Sequence, residues 1–248
     1  MSNSTNFHRV PHPLLDPKER EWLAATLWND IREIGILCLH QWVKGYHCLC
    51  LGYGAGSFCG YMQGFGWIAD GANSSKWGAP AGRKYDLIAL VNILEDVSHP
   101  LVTISSLKAL LAVGGVMVIH TPNTFSELQG IAKLKPSGLT NYFNFASLSD
   151  LLEECGLRVV YRTTTFPMEW FILWGDNYSE NPELYQSCHE KRMAFELALP
   201  TEVRRAFYAK LAGMGWGSNC IVFAVEQSML EPQPHVPFDW LTRESEEI

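Results

Sequence analysis

Three glycines crowd one short stretch, Leu51-Gly52-Tyr53-Gly54-Ala55-Gly56. A turn of this kind lets main chain approach a ligand closely, because no Cβ intervenes. A helix starting there offers free amides and the positive end of its dipole. The same glycines also suit a plain tight corner. Asp70 ends the next predicted strand, where an acid can accept from both hydroxyls of a ribose. Asp70-Gly71 is equally a common turn pair. His120 ends a later strand near the same edge and is the first candidate for a general base. A strand-end histidine bonded to backbone is the alternative. Glu169 and His189 are further catalytic candidates, and Glu95 reads as a capping or positioning residue. No Cys-x-x-Cys pair suggests a metal, and none is expected.

These residues need elements to hold them. Asp16-Pro17 with Glu19 is a helix start of capping-box type. Leu23, Leu27, Ile31 and Ile34 then repeat at helical spacing, so one helix is expected from there to near Gly45. Tyr46–Leu51 reads as a buried parallel strand, and Ser57–Gln63 as about two helical turns. Gly66–Asp70 is a second strand, and Gly71–Lys84 a loop. Tyr85–Val91 is a strand. Pro100–Leu111 is a helix stopped by Gly114-Gly115, and Val116–Thr121 is the next strand. Ser147 caps a helix through Cys155, ended by Gly156, and Leu157–Thr163 is a strand. Residues 180–213 read as helical with a break at Pro200, and Asn219–Glu226 as the last strand.

Strands alternating with helices predict an α/β fold: a Rossmann-like three-layer sandwich. Its sheet would be mostly parallel, with helices on both faces. The C-terminal strand is expected to be antiparallel, at an edge or in a hairpin. The expected organisation is a helical lid or extension over 1–45 and an α/β domain over 46–228. Within that domain, 166–218 form a helical acceptor-side insertion, and a peripheral tail covers 229–248.

The ordered motifs resemble the class I S-adenosylmethionine-dependent methyltransferases, in particular their small-molecule branch. The resemblance rests on Leu51–Gly56, Tyr85-Asp86-Leu87-Ile88, Ile93-Leu94-Glu95-Asp96-Val97-Ser98-His99-Pro100, Leu111–Gly115 and Thr121-Pro122-Asn123. Asn141-Tyr142-Phe143 and Leu151-Leu152 with Cys155-Gly156-Leu157 extend it to about residue 165. It implies S-adenosylmethionine as cofactor. Gly52, Tyr53, Gly54, Ala55 and Gly56 would wrap the methionine part, Asp70 and Gly71 would meet the ribose, and Asn92, Ile93 and Leu94 would form the floor. Tyr53, Trp67 and Trp77 are candidates for an aromatic face near the sulfonium, with core packing as the alternative. The chain departs from the family pattern at Cys50, where an acid is usual, at Asp96, where histidine is usual, and at Ala112-Val113, where Lys-Pro is usual. Gly56 and Asp86 are also only 30 positions apart. That spacing is too short for a full set of βα units, so a strand and helix on the adenine side are expected to be missing or reduced to the Gly71–Lys84 loop. The N-terminal helix or a second subunit would then close the pocket.

The implied activity is methyl transfer to oxygen or nitrogen of a sugar, amino acid or secondary metabolite. An intramolecular cyclisation using the same cofactor, or a degenerate methyltransferase-like partner subunit, are the alternatives, and a homodimer is a further possibility. A nicotinamide enzyme fits poorly, because the third glycine follows the second by two positions instead of three. The chain has 248 residues, 47% of them hydrophobic, and a formal charge of −7 without a basic run. Nucleic-acid and anionic-membrane surfaces are therefore not expected. Seven cysteines, an odd number, predict buried free thiols in a cytoplasmic protein.

Overall fold

The computed structural model describes residues 15–39, 46–72, 82–134 and 138–229. Trp77, most of the predicted 71–84 loop, nearly all of the lead-in and nearly all of the 229–248 tail lie outside these residues. Helices α1 (Pro17–Ala25) and α2 (Leu27–Cys38) precede β1 (His47–Gly52), α3 (Ala55–Gly64) and β2 (Ile68–Ala72). Next come β3 (Tyr85–Val91), α4 (Pro100–Lys108), β4 (Leu111–Pro122), α5 (Glu127–Ile131) and α6 (Phe145–Glu154). The chain continues through β5 (Leu157–Thr164), α7 (Glu169–Leu173), α8 (Leu184–Ala198), α9 (Thr201–Gly213) and β6 (Asn219–Glu226).

One six-stranded sheet has the order β2-β1-β3-β4-β6-β5. The β1–β2, β1–β3 and β3–β4 pairs are parallel, and β6 runs antiparallel to both β4 and β5. The last strand is antiparallel as expected, but it lies inside the sheet, with β5 at the edge. Among the described residues β2 pairs only with β1, so no strand or helix stands where the short 56–86 spacing left no room for one.

Alternation along each strand splits the core. Cys48, Cys50, Val116, Val118 and Phe223 face α2 and α3 on one side. Leu49, Leu51, Ile88, Leu90 and Ile119 pack with Ile104 of α4 and Leu148 of α6 on the other. Cys50, the departure from the family's usual acid, is fully buried in the first of these layers. All seven cysteines are buried and free.

Three local readings change. The single N-terminal helix breaks at Thr26, whose backbone leaves the helical region (φ −119°, ψ −99°) and whose hydroxyl donates to the Trp22 carbonyl at 2.7 Å. Such a side-chain bond competes with the helical ladder. The second half then ends at Cys38, ahead of Gly45. Gly114-Gly115 does not stop a helix. It lies within β4, where the register against β3 shifts between Tyr85 and Leu87. A Cβ on Gly115 would come within 3.0 Å of the Tyr85 and Ala112 carbonyls. Ser147 is the third residue of α6; Asn144 is the cap, and the two close a capping box.

The glycine turn follows from sterics. Gly52 has φ +104°, and a Cβ there would sit 1.9 Å from the Val91 carbonyl oxygen. That oxygen already accepts from the Tyr53 amide at 2.9 Å, which ties the end of β1 to the end of β3. Gly52→Ala is expected to cost about 3 kcal/mol or more, read as a lower urea midpoint. A change below about 1 kcal/mol would contradict the close approach.

Candidate active site

The strand order reverses between β1 and β3, since β1 leads to β2 on one side and the chain then returns to the other. The carboxyl ends of these two strands are the place where open α/β sheets bind ligands. A cavity of about 910 Å³ opens there. Its floor is Tyr53, Gly54, Val91, Asn92 and His120, with Ser57 of α3 beside the turn. The ends of β5 and β6 add Thr163, Thr164, Thr165 and Asn219. Helix α1 roofs one side through Glu19 and Trp22, and α8 the other through His189 and Arg192. The N-terminal helices thus cover the glycine turn, where Leu15 and Trp28 approach the Gly54 position within 4 Å.

Two floor residues present unused polar atoms. Asn92 adopts φ +49°, the left-handed region that a non-glycine residue seldom occupies, directly after β3. Its amide donates to the His120 carbonyl at 2.8 Å, while its buried side-chain Oδ1 has no partner among the described residues. His120 is 6% exposed, and its Nδ1 also lacks a partner. Burial, with the nearby Arg192 cation, lowers its pKa to about 4, so the imidazole is neutral around pH 7.

The roof is laced by buried charge. Glu196 on α8, 2% exposed, accepts from Trp22 Nε1 of α1 at 2.6 Å and from the Tyr208 hydroxyl of α9 at 2.5 Å. Arg192 Nε lies 3.4 Å from the same carboxylate, and its guanidinium stacks 4.8 Å from the Trp22 ring centroid. Burial and the Glu196 charge push the Tyr208 phenol well above its ordinary pKa. Asp30 of α2 accepts from Arg204 Nη2 at 3.0 Å and Arg205 Nε at 2.7 Å. Glu33 accepts from Arg205 Nη2 at 2.6 Å. His189 Nε2 lies 2.9 Å from Glu19 Oε2 and its ring meets Trp22 edge-on.

Of the residues the sequence pointed to, Tyr53, Gly54, Asn92, His120 and His189 line this cavity. Gly52 shapes the turn beneath it. Ala55 and Gly56 start α3, and a Cβ at Gly56 would meet nothing within 4 Å. Ile93 and Leu94 are buried in the layer facing α4 and α6. Gly71 packs against the Cys59 sulfur and the Ala55 and Cys50 carbonyls. Asp70 is not among the lining residues: Arg83 Nη1 at 2.6 Å and the Tyr85 hydroxyl at 2.9 Å hold its carboxylate. Glu169, 3% exposed, accepts from Ser218 Oγ at 3.2 Å, also away from the cavity lining. Trp67 is buried and stacks on Tyr46 at 4.7 Å, a packing role. Trp22, Asp30, Arg204, Tyr208 and Glu196 were not singled out in advance as site residues. Their partners lie up to 175 positions away in sequence, and hydrophobic periodicity carries no trace of such pairs.

The remaining motifs hold the edge in place. Glu95, 4% exposed, accepts from Thr121 Oγ1 at 2.9 Å, and burial raises its pKa. Asn141 Nδ2 donates to the carbonyls of Leu94 and Val97 at 3.1 and 2.6 Å. Asn123 Nδ2 donates to the carbonyls of Gly215 and Gly217, both at 2.9 Å. These bonds fix the loops after β3 and β4 against the start of β6.

Among the described residues no cluster of potential metal ligands occurs, and no helix is long and apolar enough to cross a membrane. No curated protein matches the chain. Among solved structures, a methyltransferase from Geobacter sulfurreducens in complex with S-adenosyl-L-homocysteine is 15% identical. The alignment covers 82% of this chain and 92% of that one, with a TM-score of 0.43. YjhP from E. coli is 18% identical over 92% of this chain and 94% of its own, at 0.42. The CcbJ methyltransferase from Streptomyces caelestis is 14% identical over 54% of this chain and 81% of its own, also at 0.42. A family model described as a methyltransferase domain matches residues 43–162, which span the glycine turn, the Asn92 and His120 floor and all of α6. Over residues 43–162 the chain is similar to methyltransferase domains.

Proposed function

We propose that the protein binds S-adenosylmethionine at the β1/β3 switch point and transfers its methyl group to a small molecule enclosed under α1 and α8. The observation that carries this reading is a pair of buried atoms without a partner among the described residues, Asn92 Oδ1 and His120 Nδ1, on two residues that line one large cavity beside the glycine turn. Buried polar groups without partners are rare and call for a ligand or an ordered water. The residues fit the cofactor at its methionine end: Gly54 leaves room at the turn, Asn92 Oδ1 can accept from an ammonium, and Ser57 lies beside them. When bound, the cofactor supplies an electrophilic methyl carbon on a sulfonium. The protein's part is to hold an acceptor in line with it, which accounts for most of the acceleration in such a displacement.

His120 acts as the base. It is neutral at pH 7, lines the cavity and has an Nδ1 without a partner among the described residues, which suits it to take the proton that a hydroxyl or ammonium acceptor must lose. His189 orients Glu19 and closes the roof; it is paired already and serves as a positioning residue. Glu169 is assigned the same kind of role, holding Ser218. The 1–45 and 166–218 segments act together as the cover of the acceptor side, joined through Glu196, Asp30 and their partners.

Asp70 serves the sheet edge, through Arg83 and Tyr85, in this reading. Asp70→Asn is therefore expected to leave S-adenosylhomocysteine affinity within about threefold of wild type, measured by calorimetry. A larger loss, with β-sheet content and melting temperature kept, returns the ribose role to Asp70. Consumption of S-adenosylmethionine with methylation of an added acceptor is the activity itself. Cofactor binding without turnover of any acceptor would favour the partner-subunit reading.

A further inference from the structure

The inner end of the cavity has spent its hydrogen-bond acceptors and kept its donors. Glu196 is filled by Trp22, Tyr208 and Arg192, and Asp30 by Arg204 and Arg205. Arg192, in contrast, uses only Nε, at a long 3.4 Å, and its two terminal nitrogens make no hydrogen bond among the described residues. Arg204 is 2% exposed, and its Nε has no partner among the described residues. Both arginines line the cavity that His120 and Asn92 floor.

The side chains of Arg192, Arg204 and Arg205 are 13%, 3% and 9% exposed, against 3% and 16% for Glu196 and Asp30. The third carboxylate, Glu33, is 38% exposed, so solvent weakens its share of the balance. Arg205 stands outside the lining and keeps Glu33 beside it, so in the buried wall Arg192 and Arg204 face Glu196 and Asp30 one for one. Asp16, Glu19 and Glu190 lie towards the mouth, where Lys18 and His189 stand beside them.

We infer that the acceptor carries a carboxylate, and that Arg192 is the residue that holds it. This rests on the methyl-transfer reading above. A planar guanidinium with two open N–H groups matches a carboxylate in two parallel bonds. The Trp22 ring fixes the plane of that fork. A carboxylate adds one negative charge beside Glu196 and Asp30, whereas a phosphate dianion would add two. Among the described residues the lining carboxylates without a cation, Asp16 and Glu190, are exposed, so an amine acceptor would find no buried one to receive it.

The test uses ligand-observed NMR on the full chain with S-adenosylhomocysteine present. The probes are matched sets at equal concentration: 4-hydroxyphenylacetate, 4-hydroxyphenylacetamide and tyramine, with 3-hydroxybutyrate, 3-hydroxybutyramide and 4-amino-2-butanol. Carboxylates are expected to bind at least about tenfold tighter than their amides and amines. Arg192→Gln should erase that preference, Arg192→Lys should keep part of it, and Glu196→Gln should strengthen it by freeing the guanidinium. Titration of each variant with S-adenosylhomocysteine reports whether the fold and the cofactor site persist. No carboxylate binding, a preference for the amines, or a preference surviving Arg192→Gln in a folded variant overturns the inference. Failure of wild type to bind S-adenosylhomocysteine, with the carboxylate preference intact, would instead sink the methyl-transfer reading alone.

Discussion

Replacing His120 with glutamine is expected to slow methyl transfer by about 10²–10⁴-fold, while S-adenosylhomocysteine affinity stays within about threefold. Glutamine fills similar space and can hydrogen-bond, but it cannot take a proton. The same substitution has a signature that needs no acceptor. The folded histidine has a pKa of about 4 against an ordinary 6.5. Between those values the unfolded chain binds more protons than the folded one, so stability falls as pH drops through that window. It is fully present above pH 6.5 and lost by about pH 4. The full difference is worth about 3 kcal/mol. Urea midpoints from pH 7 to pH 4 should therefore fall more steeply for wild type than for His120→Gln. Equal slopes would show that His120 is not held neutral in the folded state. A turnover loss below about tenfold would remove it as the base.

The second large effect is on stability. Asp30→Asn leaves Arg204 and Arg205, 2% and 8% exposed, without their shared carboxylate, with only the more exposed Glu33 still beside Arg205. Removing one member of a buried ion network costs about 3–5 kcal/mol, because the remaining charges are left uncompensated. For a chain of this size the melting temperature should fall by about 6–20 °C. Adding Arg204→Met should recover part of the loss, since an apolar side chain pays no desolvation of charge. A single-variant loss below about 1 kcal/mol would mean that the helices α2 and α9 are held by apolar packing alone. The lacing between the N-terminal helices and α8–α9 would then lose its stated role.

The strands with strong apolar runs were legible from sequence, since Tyr85–Val91 and Asn219–Glu226 need no tertiary information to be recognised. The short spacing from Gly56 to Asp86 likewise foretold a sheet that ends at β2 among the described residues. What misled was local competition. Thr26 looks like an ordinary helical residue until its hydroxyl turns back on Trp22, and Gly114-Gly115 reads as a helix stop although it bends a strand. The placement of β6 inside the sheet is a long-range choice that no local pattern records.

The site was legible at its floor and opaque at its roof. Gly54, Asn92 and His120 sit at strand ends, and a βα pattern places strand ends at one edge of the sheet. The roof is built from residues more than 150 positions apart, such as Trp22 with Glu196. A glutamate in the middle of a helix looks like a solvated face until the opposing tryptophan and tyrosine are known. Asp70 shows the reverse case. Its position in sequence matched an acid of the family, yet Arg83 and Tyr85 already occupy its carboxylate.

The central claim is that the β1/β3 switch point is a cofactor site, and calorimetric titration with S-adenosylhomocysteine tests it most directly. Wild type is expected to bind with micromolar affinity. Asn92→Gly, which keeps the left-handed backbone and removes only the side chain, should bind about tenfold more weakly. A folded wild-type protein that takes up no ligand at millimolar concentration, or an Asn92→Gly variant that binds as tightly as wild type, would contradict the account.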